Sequence, residues 1–375
     1  MEKIKQKKTA RLASTSERES RRVVVGMSGG VDSSVTAALL KKQGFDVIGV
    51  FMKNWSEDFA DYGCTWAQDA EDARKVAQVL DIPFYVWNFE KEYYDRVVEY
   101  FLREYKAGRT PNPDVMCNKE IKFKVFLDKA LALGADFVAT GHYARVTHHA
   151  SRNTYHLLKG IDPAKDQSYF LYTLKQEQLS KILFPIGDYK KPEIRKLAKK
   201  FKLPNFAKKD SQGICFIGKI NVREFLKENI KAKIGEIVTT AGLAVGKHQG
   251  LPYYTIGQRE GIGLGGTGPY YVVEKNLKKN QLVVTNDKMD TKLWKKEFEV
   301  TDVSWVGKLP KFPLKAGVSI RYHHPEFRAV ISNQETGNRL RIKFKEPQRA
   351  ITLGQAAVIY KGDELVGGGI INKVF

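Results

Sequence analysis

Residues 26–34 read Gly26-Met27-Ser28-Gly29-Gly30-Val31-Asp32-Ser33-Ser34, directly behind the apolar run Val23-Val24-Val25. The apolar run predicts a short buried strand. Val31, Val35, Ala38 and Leu39 recur at helical spacing behind the glycines. A strand, a glycine turn and a helix N-terminus bring backbone N–H groups and the Ser28, Ser33 and Ser34 hydroxyls around one point. That arrangement attracts an anion, and a nucleotide phosphate is the usual one. Gly29 and Gly30 carry no Cβ, so the backbone can approach a phosphate closely. No Gly-Lys-Ser/Thr closes the loop, which excludes a Walker A motif, and the Gly-x-Gly-x-x-Gly spacing of a dinucleotide fingerprint is absent.

Two of the three cysteines offer nucleophilic chemistry. Cys117 follows Gly108-Arg109-Thr110-Pro111-Asn112-Pro113-Asp114-Val115-Met116. The two prolines predict a rigid loop, with a helix from about Asn118. A thiol at a helix N-terminus near Lys119 and Lys122 has its thiolate stabilised and its nucleophilicity raised. The local sequence fits a buried, inert thiol equally well. Cys215 lies between Gly213 and Gly218, which predicts a flexible loop. Two loop cysteines in a nucleotide-binding chain suggest a nucleophile and a resolving thiol working by exchange. Cys64 has no acid, base or metal partner in its neighbourhood and reads as structural. No Cys-x-x-Cys pair occurs, so no zinc knuckle and no metal site is expected.

Around these residues the chain alternates strands and helices from 22 to 145. Strands are predicted at 23–27, 46–52, 83–88 and 135–140, and helices at 32–43, 66–80, 91–106 and 118–133. This is the rhythm of a parallel, doubly wound sheet with helices on both faces. Ligands of such sheets sit beyond the strand C-termini, where residues 26–34, Met52 and Gly141-His142 all fall. Helices follow near 175–183 and 191–201. Past 218 the texture turns β-rich, with runs at 236–239, 253–256, 270–273 and 281–285. Further runs at 318–322, 329–332, 339–344, 356–360 and 369–374 predict a small barrel. The expected domains are a basic arm (1–22), an α/β nucleotide-binding catalytic domain (23–217), a small β-rich domain (218–290) and a C-terminal β-barrel (291–375).

Composition bounds the partners. The 375 residues carry a net charge of +21, of which the first 22 supply only +5. A positive field spread over the folded part suits a polyanion, above all nucleic acid. No apolar run approaches the roughly 18 residues of a membrane span, and the N-terminus lacks the apolar core of a secretory signal. Sparse, odd-numbered cysteines fit a reducing cytoplasm. A monomer is expected.

Residues 26–33 resemble the pyrophosphate loop (PP-loop) of the ATP pyrophosphatases, which split ATP between the α and β phosphates and leave an adenylate on the substrate. Longer segments sharpen the resemblance. They include Phe51-Met52-Lys53-Asn54-Trp55, residues 107–114, 117–123 and 139–143, Lys165-Asp166-Gln167 onward to 172, and residues 213–218, 248–250, 257–259 and 367–370. Over residues 23–375 the chain resembles the bacterial tRNA 2-thiouridylase family, which places sulfur on C2 of the wobble uridine.

The resemblance implies residue roles. Gly26, Met27, Ser28, Gly29, Gly30, Val31, Asp32 and Ser33 would hold ATP, with Met52 against the adenine and Gly141 also at the nucleotide. Mg²⁺ would accompany the phosphates. Asn112, Pro113 and Asp114 would contact the target base, and His142, Lys165, Asp166, Gln167, Arg321, Tyr322 and Gln355 the tRNA. Cys215 would carry a persulfide and Cys117 would be the second catalytic cysteine. Asp114 is a candidate acid or base for the uracil N3, and equally a turn carboxylate after proline. Tyr143, Tyr169 and Tyr322 are candidates for stacking on bases. The tRNAs for lysine, glutamate and glutamine would be the acceptors. A sulfur-relay protein or a cysteine desulfurase would be the donor.

Overall fold

The computed structural model describes residues 21–56, 66–209, 222–265, 268–334 and 338–375. In chain order its first strands are β1 (Arg22–Gly26), β2 (Asp46–Lys53), β3 (Phe84–Asn88), β4 (Phe137–Thr140), β5 (Ala144–His149), β6 (Thr154–Lys159) and β7 (Ile182–Leu183). A parallel sheet runs β3-β2-β1-β4-β7. The strand order reverses between β1 and β4, so a crevice opens at their C-terminal ends, where open α/β sheets bind ligands. Val23, Val24 and Val25 are all buried, because helices cover both faces of the central strand. On one face lie α1 (Val31–Lys42), α2 (Trp66–Val79) and the helix Lys191–Lys200, packed on Val23, Val25 and Phe51. On the other, Val24, Val50 and Met52 share a core with Phe101, Cys117, Ile121 and Phe126.

The helix expected from 118 begins five residues earlier. Asn112 caps it, its Oδ1 accepting from the N–H groups of Asp114 (3.1 Å) and Val115 (3.2 Å). Pro113 takes the first turn, where its missing N–H is no loss. Segments Pro113–Met116, Cys117–Phe126 and Leu127–Ala132 then run on, the middle one π-helical with a break at Phe123 (φ −107°, ψ 18°). The helix predicted over 175–183 is a single turn, Gln176–Leu179, followed by β7.

The β-rich middle of the chain holds β8 (Gly235–Thr239), β9 (Ala244–His248), β10 (Tyr271–Asn276) and β11 (Gln281–Thr285), ordered β10-β11-β8-β9. Residues 253–256, expected as a strand, form none: Tyr253 ends a 3₁₀ turn, Leu251–Tyr253, and β9 takes the fourth place. The C-terminal strands are β12 (Trp294–Trp305), β13 (Leu314–Ser319), β14 (Phe327–Asn333), β15 (Leu340–Arg349), β16 (Ala356–Lys361) and β17 (Glu364–Val374). They run β12-β15-β14-β13-β16-β17 and close through β12–β17 pairing into a six-stranded barrel. Leu340, Ile342 and Phe344 alternate inward along β15. The β5–β6 hairpin pairs with β17, so one sheet joins the first half of the chain to the barrel. Among the described residues no helix is long and apolar enough to cross a membrane.

Candidate active site

The phosphate loop is closed by its own residues. Ser33 Oγ accepts from the Ser28 N–H (3.2 Å) and donates to the Gly30 carbonyl (3.2 Å). Ser34 Oγ donates to the same carbonyl (2.8 Å). Gly29 has φ +73°, and a Cβ there would lie 2.2 Å from the Asp69 carbonyl oxygen. Gly141, just past β4, would place a Cβ 2.7 Å from the Ser33 nitrogen. Only glycine lets the loop pass this close to α2 at residue 29 and lets the β4 exit close on the α1 N-terminus at residue 141. Ser28 remains exposed at the mouth, and Met52 is buried behind it, its Cε 3.0 Å from where a Gly26 Cβ would sit. A phosphate chain fits this cradle of N–H groups and hydroxyls.

Asp32 would repel a phosphate if it stood uncompensated. Its two oxygens each accept from Lys191 Nζ at 2.8 Å, and Oδ1 also accepts from the Tyr143 hydroxyl (2.8 Å). The loop's one carboxylate is thereby neutralised, leaving the helix N-terminus as the dominant local field. Asn205 holds the loop from outside, Nδ2 donating to the Gly29 carbonyl and to Ser34 Oγ, both at 2.9 Å. Lys208 ties Asp69 and Asp72 together at 2.6 Å each.

Cys117 is 0% exposed, in the second turn of its helix rather than at the N-terminus expected for it. Lys122, one turn and a half on, is buried with Nζ 3.4 Å from His142 Nε2. The ammonium can only donate, so Nε2 is the acceptor and Nδ1 carries the proton toward Thr140 Oγ1 (2.6 Å). Burial first, and Lys122 second, hold the His142 pKa well below its usual value, so the ring is neutral. His142 thus links Gly141 of the cradle to the helix of Cys117. It is 6% exposed, and both ring nitrogens face protein groups.

The other residues assigned by resemblance to the tRNA gather where this helix meets the barrel. Tyr322 lies in the turn after β13, not in a strand as expected over 318–322, with its ring 4.3 Å from that of Phe170. Burial, with Asp166 and Asp114 nearby, pushes its hydroxyl up to about 12. Asp166 is engaged by the N–H groups of Gly160 (2.9 Å) and Ser168 (3.1 Å) and by the Ser168 hydroxyl (2.9 Å). Burial still raises its pKa. Gln167 Oε1 accepts from the Tyr143 N–H (3.1 Å), and Lys165 is half-buried in the same turn. Arg321 Nη2 donates to the carbonyls of Arg349 (3.2 Å) and Ala350 (3.0 Å). Gln355 Nε2 donates to those of Thr110 (2.8 Å) and Pro111 (3.3 Å). Tyr143 and Tyr169, expected as base-stacking candidates, are 2% and 3% exposed. Their hydroxyls donate to Asp32 and to the Ala356 carbonyl, so both are core residues.

Cys215 and Cys64 lie outside the described residues. The chain on either side of residues 210–221 is anchored. Lys208 binds Asp69, which touches Gly29, while Phe225 and Leu226 pack in the core that holds Cys117. Sequence reasoning missed Lys191, Asn205 and Lys208 as supports of the loop. Each is 136 or more positions from its partner, and nothing local marks them.

Comparison with known proteins places the chain. Three family models match in series. They are a tRNA methyl transferase HUP domain over residues 21–219, a tRNA methyl transferase PRC-barrel domain over 223–286 and an aminomethyltransferase beta-barrel domain over 295–371. The tRNA-specific 2-thiouridylase MnmA of Shouchella clausii is 51% identical over 360 residues, covering 96% of this chain and 98% of the relative. That of Alkaliphilus oremlandii is 52% identical over 357 residues, 94% and 97% of the two chains. A solved 4-thiouridine synthetase–RNA complex with bound ATP aligns over 56% of this chain and 50% of that one, at 19% identity and a TM-score of 0.34, too distant to carry an argument. With near-complete coverage by such relatives, and with the phosphate cradle and thiol-bearing helix in place, the chain belongs to the tRNA-specific 2-thiouridylase family.

Proposed function

We propose that this protein is a tRNA-uridine 2-sulfurtransferase that activates C2 of the wobble uridine with ATP and replaces its oxygen by sulfur. The observation that carries the reading is the pairing of an anion cradle at the β1–β4 crevice with a cysteine one helix away, in a chain of this family. Methyl transfer, named in the matching family models, needs neither part.

ATP supplies an AMP leaving group on the uridine O2. Ser28, Ser33 and the α1 N-terminus hold the phosphate chain, with Gly29 and Gly141 allowing its approach and Met52 flanking the adenine. Among the described residues no cluster of three or more metal-ligating side chains occurs, and Asp32 is committed to Lys191. Mg²⁺ would therefore be held mainly by phosphate oxygens and water. Asn112, Pro113 and Asp114 meet the target base, which must leave its stack to reach them. The outer sulfur of a Cys215 persulfide then bonds to C2 as AMP leaves, either by direct attack or after Cys117 has freed it as sulfide. In both orders the Cys117 thiolate displaces that sulfur from Cys215 Sγ. The product is a Cys117–Cys215 disulfide that a thiol reductant reopens. The basic surface supplies tRNA affinity through phosphate contacts, with the tRNAs for lysine, glutamate and glutamine as acceptors. A relay protein or desulfurase loads the sulfur. The protein works as a cytoplasmic monomer.

The test is nucleoside mass spectrometry of tRNA incubated with the protein, ATP and a persulfide donor. Wild type should form 2-thiouridine, and Cys117→Ala and Cys215→Ala should each form none. Cys215→Ala should still adenylate tRNA from labelled ATP. Full thiolation by Cys215→Ala would remove the persulfide role, and a methylated product in place of 2-thiouridine would overturn the reading.

A further inference from the structure

Arg109 stands where the catalytic domain meets the barrel, three residues ahead of the Asn112 cap of the Cys117 helix. Its backbone is held on the catalytic side. The helix Glu99–Lys106 ends before Gly108 (φ +75°), whose N–H donates to the Tyr105 carbonyl, and the Arg109 N–H donates to the Glu104 carbonyl, both at 2.9 Å. Phe101 and Tyr105 of that helix pack in the core that holds Cys117. The Arg109 side chain reaches the barrel instead. Nη1 donates to Asn372 Oδ1 (2.8 Å) and Nη2 to the Ile371 carbonyl (3.3 Å), both on β17. Glu104 Oε2 lies 2.9 Å from Nε and supplies the counter-charge. A planar guanidinium can meet all three partners at once, whereas the compact ammonium of a lysine cannot.

The β17 residue that Arg109 grips also fixes the turn between β15 and β16. The Ile371 carbonyl accepts from the Gly354 N–H (2.9 Å), and the Ile371 N–H donates to the Gln355 carbonyl (2.8 Å). Gln355 is assigned to the tRNA by resemblance, so one backbone position ties Arg109 to a tRNA-contacting turn. That turn also holds the chain just past Arg109. The Leu353 carbonyl accepts from the Thr110 N–H (2.8 Å), and a Cβ on Gly354 would lie 2.9 Å from the Thr110 nitrogen. From the middle domain, Thr255 Oγ1 meets Thr110 Oγ1 at 3.3 Å. Only Thr110 and Pro111 separate Arg109 from Asn112. Pro111 and Pro113 have fixed φ, so a displacement at Arg109 passes on to Asn112, Asp114 and the Cys117 helix instead of being absorbed by a soft loop.

We propose that Arg109 is a positioning residue: it locks the target-base loop in register with the tRNA-contacting turn of the barrel, so that a tRNA seated on the barrel presents its base at Asn112–Asp114, beside the helix of Cys117. This rests on the 2-thiouridylase reading. A register lost by about 1 Å would leave the tRNA bound but its uridine misplaced, and such shifts cost up to about 10²-fold in rate.

The test compares wild type, Arg109→Lys, Asn372→Ala and the double variant. Arg109→Lys keeps the charge beside Glu104 and loses the fork. Asn372→Ala removes one acceptor on β17 with Arg109 intact, and carries the test should Arg109→Lys not fold. Three quantities are read: tRNA Kd by filter binding, single-turnover 2-thiouridine formation at saturating tRNA and ATP, and the rate at which iodoacetamide labels Cys117, by peptide mass spectrometry. We expect the saturating rate to fall about 10-fold to 10²-fold in Arg109→Lys and less in Asn372→Ala, with Kd within about threefold in both. The double variant should be no slower than Arg109→Lys, because the two residues act as one clamp. Cys117 should label faster as the helix start loosens. A Kd raised in proportion while the saturating rate holds would make Arg109 a tRNA contact and overturn the proposal. A lowered melting temperature with rate, Kd and labelling unchanged would reduce Arg109 to a structural brace and overturn it as well. So would a double variant slowed by the product of the two single effects. If wild type forms no 2-thiouridine, the functional reading fails first. The labelling comparison still tests the clamp, and equal labelling in all four proteins would overturn it.

Discussion

The phosphate loop and the thiol segment are built in opposite ways. In the first, the closing bonds join residues three to five positions apart, such as Ser33 to Gly30 and Ser28 to Ser33. In the second, the bonds that hold residues 108–112 join positions 145, 245 and 263 apart. A nucleotide cradle needs only a strand, a turn and a helix start, all available from consecutive residues. Placing a sulfur against a base bound elsewhere needs a frame, and here the frame comes from two further domains. The difference teaches that the shape of the phosphate loop is set locally and braced from afar by Lys191 and Asn205, whereas thiol placement is a property of the assembled molecule.

Three perturbations sharpen or break this contrast. The largest effect is expected from Gly29→Ala. Its backbone conformation alone costs a Cβ-bearing residue about 1–3 kcal/mol, and the Cβ would drive into the Asp69 carbonyl. ATP binding measured by calorimetry should be lost, while the intact, cooperatively melting protein still binds tRNA. Retained ATP affinity would show that the cradle tolerates a wider loop.

Lys191→Met comes next. It leaves Asp32 half-buried beside the phosphate site without its cation, and removing one member of a buried pair is costly to the other. ATP affinity should fall about 10-fold to 10²-fold and recover in the Lys191→Met/Asp32→Asn double variant, since the repulsion goes with the charge. Failure of the second change to restore binding would mean that Lys191 serves the nucleotide directly rather than through Asp32.

The smallest effect concerns His142, which joins the two regions. Its folded pKa is depressed, so below about pH 6.5 the unfolded chain takes up a proton that the folded one refuses. Stability should therefore fall as pH drops through that value, by at most about 1.4 kcal/mol per pH unit from this group. Burial lowers His248 and His324 as well, and they act in the same direction. Melting temperatures recorded across this range should decline less steeply for His142→Gln. An identical slope would place the titration elsewhere.

What could be read in the sequence follows the same division. The strand, glycine turn and helix of residues 23–42 form as expected because the bonds that shape the turn and the helix start are short-range, even though β1 also pairs with β4 far downstream. The alternating elements up to β4 were legible from periodicity, since their apolar faces meet a sheet built from neighbours in sequence. The start of the Cys117 helix was also written locally, in Asn112 as a cap before Pro113, but two prolines read more readily as a rigid loop. The thiol's burial was not legible, since Phe101, Phe126 and Phe225 converge on that core from three helices. Nor were the fates of Tyr143 and Tyr169. A tyrosine looks the same in sequence whether its hydroxyl faces water or a carboxylate 111 positions away. The β5–β6 hairpin went unread because its partner, β17, lies some two hundred residues downstream.

That hairpin decides where this protein can be cut. Leu157 on β6 is sealed under Tyr360 and Leu365, and β6 lends its outer rim to Glu364 and Leu365. A fragment ending after residue 290 would bare this leucine and an unsatisfied strand rim, a known invitation to aggregation. Anyone grafting a barrel from a relative onto this catalytic half would have to carry residues 144–159 across with it, since that stretch is threaded through one half of the polypeptide and zipped into the other.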